Sequence, residues 1–436
     1  MVAQPDTLKA LAFARKDVSL RAVDDVPDWA IIFFIGILAY LPYAEFLHDQ
    51  LGYQLFGFAA EVTVVPTVAV CILFVMIGMF RKPTLFVYAL LFLGLIVIVL
   101  LSRYFLGLDL SLYDTLRQAV GLRYMMLIPM YILIAGYTLQ RSLSRKLASR
   151  IIMINAAFAA FVAMLYVSGL ITYRLVPEGS ELQALYGGSE ISRASGLSAG
   201  VNVYSNFLLL AVIVVCFAYD RSVLVRVASV AVLILGILAS QSRWPLMSAV
   251  AVLGATVLVH ERSGNKKRLL VVVFAVVFAL TLAYLTTDST DRLVGGVKGR
   301  LSQEMGDDIG IRQSKYEIGL NAIFESSYTA LAGATPENLI QGYRQEYIFS
   351  DNGILSMFIS AGIPVTLLFV FFCYWYGRQF VRNSRTLRLY VFGAIALGVA
   401  FFNNAIYWDS WLFHAAVVCF LITNTDPTAE SAAGGS

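Results

Sequence analysis

Apolar residues in this chain run in long uninterrupted stretches. Neither a strict two-residue alternation nor a one-sided helical stripe describes them. Val62–Phe80 holds 19 residues without a charge and Pro83–Ser102 another 20, each long enough to cross a hydrocarbon layer of about 30 Å. Twelve such segments are predicted, near 29–47, 56–80, 83–101, 122–138, 151–170, 203–219, 223–239, 244–260, 268–286, 352–377, 388–402 and 407–424. Backbone donors and acceptors inside lipid must pair within the segment, so each is expected to be a helix. Asn403, Asn404 and Asp409 crowd the junction of the last two, where one segment could be re-entrant. The expected fold is an all-α polytopic membrane protein. A cytoplasmic segment (1–28) precedes nine spans (29–286); a long outer loop with short helices (287–351), three spans (352–424) and a disordered polar tail (425–436) follow.

Composition agrees with that pattern. Of 436 residues, 59% are apolar or aromatic and 14% charged, against roughly a quarter charged in soluble proteins. A soluble enzyme and a nucleic-acid-binding protein are excluded on this ground. With the N-terminus in the cytoplasm, 20 of the 32 basic residues fall on the cytoplasmic side. Six of the other 12 lie in the single long segment Thr287–Ser350. Long exported segments translocate largely regardless of charge, so the short loops decide, and both termini are expected to be cytoplasmic. The acidic content of the first 28 residues argues against a cleaved signal peptide.

The four cysteines, Cys71, Cys216, Cys373 and Cys419, sit in apolar runs and read as small hydrophobes. The histidines His48, His260 and His414 are isolated from one another and from cysteine at ligand spacing, so structural zinc is not expected. No phosphate-binding loop, dinucleotide fingerprint or zinc-protease helix occurs. Nor is there a repeat of the kind that builds many transporters.

Polar sequence concentrates in Arg103–Arg123, Thr172–Asn202, Ser240–Arg243 and Thr287–Ser350, all on the outer side. Arg243 is the sharpest anomaly, because Ser240-Gln241-Ser242-Arg243-Trp244-Pro245 leaves almost no loop between two helices. An arginine at mid-membrane costs about 2.5–3.5 kcal/mol on insertion scales, less near the interface. Snorkelling beside Trp244 is the bland explanation, and a site arginine in a polar outer cavity is the functional one. Asp308–Phe324 reads as an amphipathic helix with Tyr316, Leu320 and Ile323 on one face. Arg312 lies on that face in the first turn, where it opposes the helix dipole. Asp351 opens the next span as an N-cap, as a general base, or as both. Arg193 and Asn202 flank a small-residue turn in which Asn202 can cap the following helix, while Arg117 and Arg123 flank the fourth span on its outer side as candidate anion ligands. A guanidinium matches phosphate oxygens and keeps its charge in a poorly solvated cleft.

Four pieces of this layout resemble the bacterial O-antigen ligase and polysaccharide polymerase superfamily. Arg193-Ala-Ser195-Gly196-Leu197 with Asn202 resembles its arginine-x-x-glycine-leucine then asparagine motif. Ser240-Gln241-Ser242-Arg243 resembles its serine-arginine helix start. Arg312 sits where the loop arginine is expected, and Asp351-Asn352-Gly353 through Ser360-Ala361-Gly362-Ile363 resembles the motif after the loop. The similarity covers about Arg193–Tyr376.

The resemblance implies metal-independent, cofactor-free, inverting glycosyl transfer on the periplasmic face of the bacterial inner membrane. Donor and acceptor would be oligosaccharides on undecaprenyl diphosphate, with a chain-length regulator as a possible partner. Arg243 and Arg312 would hold the diphosphate, with Arg193, Asn202, Arg117, Arg123 and Tyr316 as further substrate contacts and Asp351 as the base. Ligases carry a histidine at the loop exit, whereas Thr287–Ser350 contains none. That favours a polymerase of O-antigen, capsule or exopolysaccharide over a ligase to the lipid A core. A lipid-linked sugar flippase is the alternative from another class.

Overall fold

The computed structural model describes residues 26–44, 61–105, 123–167, 170, 201–219, 221–240, 242–260, 317, 320, 321, 324, 327–333, 353–381, 392–394, 396, 398 and 409–424. Among the described residues the regular structure is entirely helical. The helices are α1 (Asp28–Tyr40, continued by a 3-10 turn Leu41–Tyr43), α2 (Glu61–Arg81), α3 (Pro83–Phe105), α4 (Arg123–Thr138), α5 (Ser142–Val167) and α6 (Val201–Phe217). They continue with α7 (Val223–Ser240), α8 (Arg243–His260), α9 (Ser327–Ala332), α10 (Gly353–Ala361), α11 (Ile363–Arg378) and α12 (Asp409–Thr423).

Contacts between distant residues give the bundle two distinguishable ends. At one, Arg141 Nη1 donates to Asp28 Oδ1 at 2.6 Å and to the Val26 carbonyl at 3.2 Å, setting the start of α1 beside the end of α4. Lys82, in the α2–α3 turn, stands 6.0 Å from the centre of the Tyr137 ring. Asn424 Nδ2 donates to the Phe380 carbonyl at 3.4 Å, joining the ends of α11 and α12. Arg145 Nη1 donates to the Leu139 and Gln140 carbonyls at 3.2 and 2.9 Å. This cation meets carbonyls that the end of α4 leaves without intrahelical partners, on the negative side of the dipole. We call this the basic end.

The opposite end is fixed by Tyr204, whose hydroxyl donates to the Gly236 carbonyl at 3.1 Å. Tyr204 is early in α6, Gly236 late in α7, and Gly236 approaches Ala160 late in α5. So α6 starts where α5 and α7 finish. The helices α4, α6, α8 and α12 all run from this far end towards the basic end.

α6 forms the core: every residue from Val203 to Phe217 is buried, and α5, α7, α8 and α12 surround it. The outside of the bundle is also apolar. Val68, Ile72, Val75 and Met79 form an exposed stripe on α2, as do Ile154, Phe158 and Phe161 on α5 and Leu367, Phe371 and Tyr374 on α11. A helix of a water-soluble bundle carries polar residues on that face. By length and composition, α5, at 26 residues, is long and apolar enough to cross a membrane.

The helices fall close to the predicted segments, with two corrections. The fifth begins at Ser142 instead of 151, so Arg145, Lys146 and Arg150 are helical. The predicted span 352–377 is two helices, because Gly362 adopts φ 79° and ψ 161° between them. That left-handed geometry favours glycine and interrupts the helical hydrogen bonding. Thr366 Oγ1 donates to the Gly362 carbonyl at 2.9 Å, with the Met357 carbonyl 3.1 Å away. Pro364 lies in the first turn of α11, where its missing N–H costs nothing. The predicted span 268–286, residues 1–25 and the tail 425–436 lie outside the described residues; of 388–402, residues 392–394, 396 and 398 are helical.

Candidate functional site at the far end

Three of the predicted site residues open helices at the far end. Arg123 is the first residue of α4, Asn202 the second of α6 and Arg243 the first of α8; for these three the backbone alone is described. Their helices are linked by packing, since α6 touches α8 and α12, and α12 touches α4. The backbone therefore brings residues 120 positions apart in sequence to one end of one contiguous group. Arg117, Arg193, Arg312, Tyr316 and Asp351 lie outside the described residues. Asp351 falls two positions before α10 in the chain.

The short turn expected before Arg243 is present. Ser240 ends α7, and its Oγ donates to the Ile237 carbonyl at 2.6 Å and accepts the Ser242 N–H at 3.2 Å. Two residues thus separate α7 from α8, and Arg243 enters the helix with no loop to move it away. The Trp244 indole stands against Gly398, where any β-carbon would collide with the ring. This pins the start of α8 to the helical residues around 398.

Below these helix starts the apolar packing gives way to a buried polar layer. Ser205 and Asn206 on α6, Ser248 on α8, and Trp411 and His414 on α12 are all at most 4% exposed. Ser205 and Asn206 follow Val201 by four and five positions, and Ser248 and His414 follow Arg243 and Asp409 by five. At 1.5 Å per residue these groups share a depth of roughly 6–8 Å. The Phe207 ring meets the His414 imidazole edge-on, with centroids 4.9 Å apart. Ser248 Oγ and Trp411 Nε1 are buried without a hydrogen-bond partner, a state that costs about 1–3 kcal/mol for each group.

Sequence reasoning passed over this layer. His414 looked isolated because its surroundings come from other helices. The signal available was spacing: Trp411 and His414 are three apart and so share a helix face. Among the described residues no three histidine, cysteine, aspartate or glutamate side chains gather as a metal site. The four cysteines are free thiols inside helices. Compared with protein-family models and with curated proteins, the chain matches none.

Proposed function

We propose that this chain is an integral membrane glycosyltransferase that polymerises lipid-linked oligosaccharide repeat units. The observation that carries the reading is the gathering of Arg123, Asn202 and Arg243 at the starts of packed, co-directional helices, opposite an end occupied by Lys82, Arg141 and Arg145. By the positive-inside rule the basic end faces the cytoplasm and the far end the periplasm. The exposed apolar stripes then face lipid, and α2 and α3, 21 and 23 residues long, reach about 32–35 Å.

On this reading the donor is a repeat-unit chain on undecaprenyl diphosphate, held by Arg243 and by Arg312 from the outer segment. The acceptor hydroxyl oxygen attacks the anomeric carbon of the donor sugar from the face opposite the diphosphate. Asp351 takes the hydroxyl proton, and the bond from the anomeric carbon to the diphosphate oxygen breaks with its electron pair. Undecaprenyl diphosphate leaves, and configuration inverts. Negative charge grows on the bridging oxygen, and arginines already in place stabilise it without reorganisation. The positive ends of α4, α6 and α8 add to the same field.

A flippase would want broken or charged helices near the membrane midplane, and the break at Gly362 invites that comparison. The 16 residues of α11 put Gly362 about 24 Å from the basic end, beyond the middle of a 30 Å core. The break is therefore nearer the periplasmic surface, which fits a site for chemistry there.

The test is genetic. Arg243→Ala and Arg312→Ala proteins are expected to reach the membrane in normal amount while the cell accumulates single repeat units. Wild-type chain lengths in both would overturn the proposal, and long unligated polymer would favour a ligase.

A further inference from the structure

The outer segment carries an apolar face that the bundle leaves uncovered. Residues 317, 320, 321 and 324 are helical ahead of α9, and Leu320, Phe324 and Leu331 are 47, 66 and 62% exposed. At 100° per residue Leu320 and Phe324 fall about 40° apart on one face, and Leu331 is exposed in α9 after them. The exposed polar residues Glu317 and Asn321 border that face on one side. An apolar face with a polar border is the pattern of a helix lying in a lipid–water interface.

Packing fixes where this stripe sits. Ala330 turns inward onto Ile359 of α10 together with Leu355 and Ile363. The Leu331 carbonyl oxygen meets Gly362, while the Leu331 side chain points away into the open. Since Gly362 is about 24 Å from the basic end, α9 rides near the outer boundary of a 30 Å core. Below it, α11 exposes Leu367, Phe371 and Tyr374, so the apolar surface of the bundle leads up to the stripe.

We propose that Leu320, Phe324 and Leu331 rest in the outer lipid surface and anchor the long outer segment over the far end. The inference rests on the membrane reading above and goes beyond it: lipid, not protein, covers this face. Anchoring at α9 adds a lipid contact to the protein contacts that α9 makes with α10 and α11.

The test is site-specific photocrosslinking of the full-length protein in vesicles of phosphatidylethanolamine and phosphatidylglycerol. Benzoylphenylalanine replaces Phe324, Leu331 or, as the span control, Phe371, and adducts are read by mass spectrometry. Lipid adducts at all three positions, in comparable yield, are the expected result. Lipid adducts at 371 with only protein adducts, or none, at 324 and 331 overturn the anchor and leave the membrane reading standing. No lipid adduct at 371 overturns both. A second measurement needs no crosslinker: Phe324→Glu and Leu331→Glu, at exposed positions, should speed cleavage of the outer segment by protease added outside. Unchanged cleavage in both counts against the anchor.

Discussion

The carbonyl oxygen of Leu331 occupies the space that a β-carbon on Gly362 would require. Through this contact and the packing of Ala330 on Ile359, α9 is seated on the break between α10 and α11, at the only described position where a helix pair is interrupted by a left-handed glycine. The outer helix α9 and the bundle are thereby held in a fixed relation at the end of α10.

Gly362→Ala should therefore destabilise the protein by about 1–3 kcal/mol, from backbone strain at positive φ together with loss of the Leu331 seat. Gly254 is the control: nothing lies within 4 Å of a β-carbon there, so Gly254→Ala should be neutral or stabilising by up to about 1 kcal/mol, as in an ordinary helix interior. Thermal unfolding of the detergent-purified variants, followed by loss of the monodisperse peak, separates the two.

Removing the Tyr204 hydroxyl leaves the Gly236 carbonyl without that bond in the core. Tyr204→Phe should cost about 1 kcal/mol with little change in polymer length, since the bond couples α6 to α7 and not to substrate. A short-chain phenotype at unchanged protein level would show that this contact reaches the site.

Much of this architecture was legible beforehand. Uncharged runs such as Val62–Phe80 announce helices because a helix pairs its backbone groups within the segment itself. The asymmetry of arginine and lysine predicts two unlike ends, and contacts of Lys82, Arg141 and Arg145 mark one end of the bundle. The break at Gly362 was hidden by the continuous apolarity of 352–377, although Gly362-Ile363-Pro364 is a stop followed by a start. The buried polar layer was hidden for a different reason: Ser205, Ser248 and His414 become neighbours in depth only once three helices are aligned. Of the site itself, the sequence indicated which residue types to watch, and the fold adds that Arg123, Asn202 and Arg243 share an end.

The buried polar layer makes its own prediction. If it serves only as packing, Ser248→Ala relieves an unpartnered group and should stabilise by roughly 1 kcal/mol, whereas Trp411→Phe sets the same relief against the cavity left by the smaller ring. A floor beneath a substrate cleft behaves differently: stability rises while polymer yield falls. The second pattern is the expected one, read by thermal unfolding alongside polymer length in the same variants.

In the proposed orientation the basic end, where Arg141 and Arg145 meet the end of α4, is cytoplasmic, so a cytoplasm-dependent reporter fused after Ser436 should be active and one fused after Leu170 inactive. The Arg141–Asp28 pair itself is exposed on the aspartate side, at 81%. Asp28→Asn should accordingly change stability by no more than about 1 kcal/mol and leave the reporter pattern intact.

Guanidinium groups at the far end are proposed to hold the diphosphate of a lipid-linked donor during chain extension. The most direct measurement is extension of a purified undecaprenyl-diphosphate repeat unit by the protein in liposomes, resolved as a ladder of chain lengths. A ladder is expected with the wild-type protein, none with Arg243→Ala, and unchanged liposome incorporation of that variant. An undiminished ladder from Arg243→Ala, or movement of the lipid-linked unit across the bilayer without extension by the wild type, would contradict the proposal.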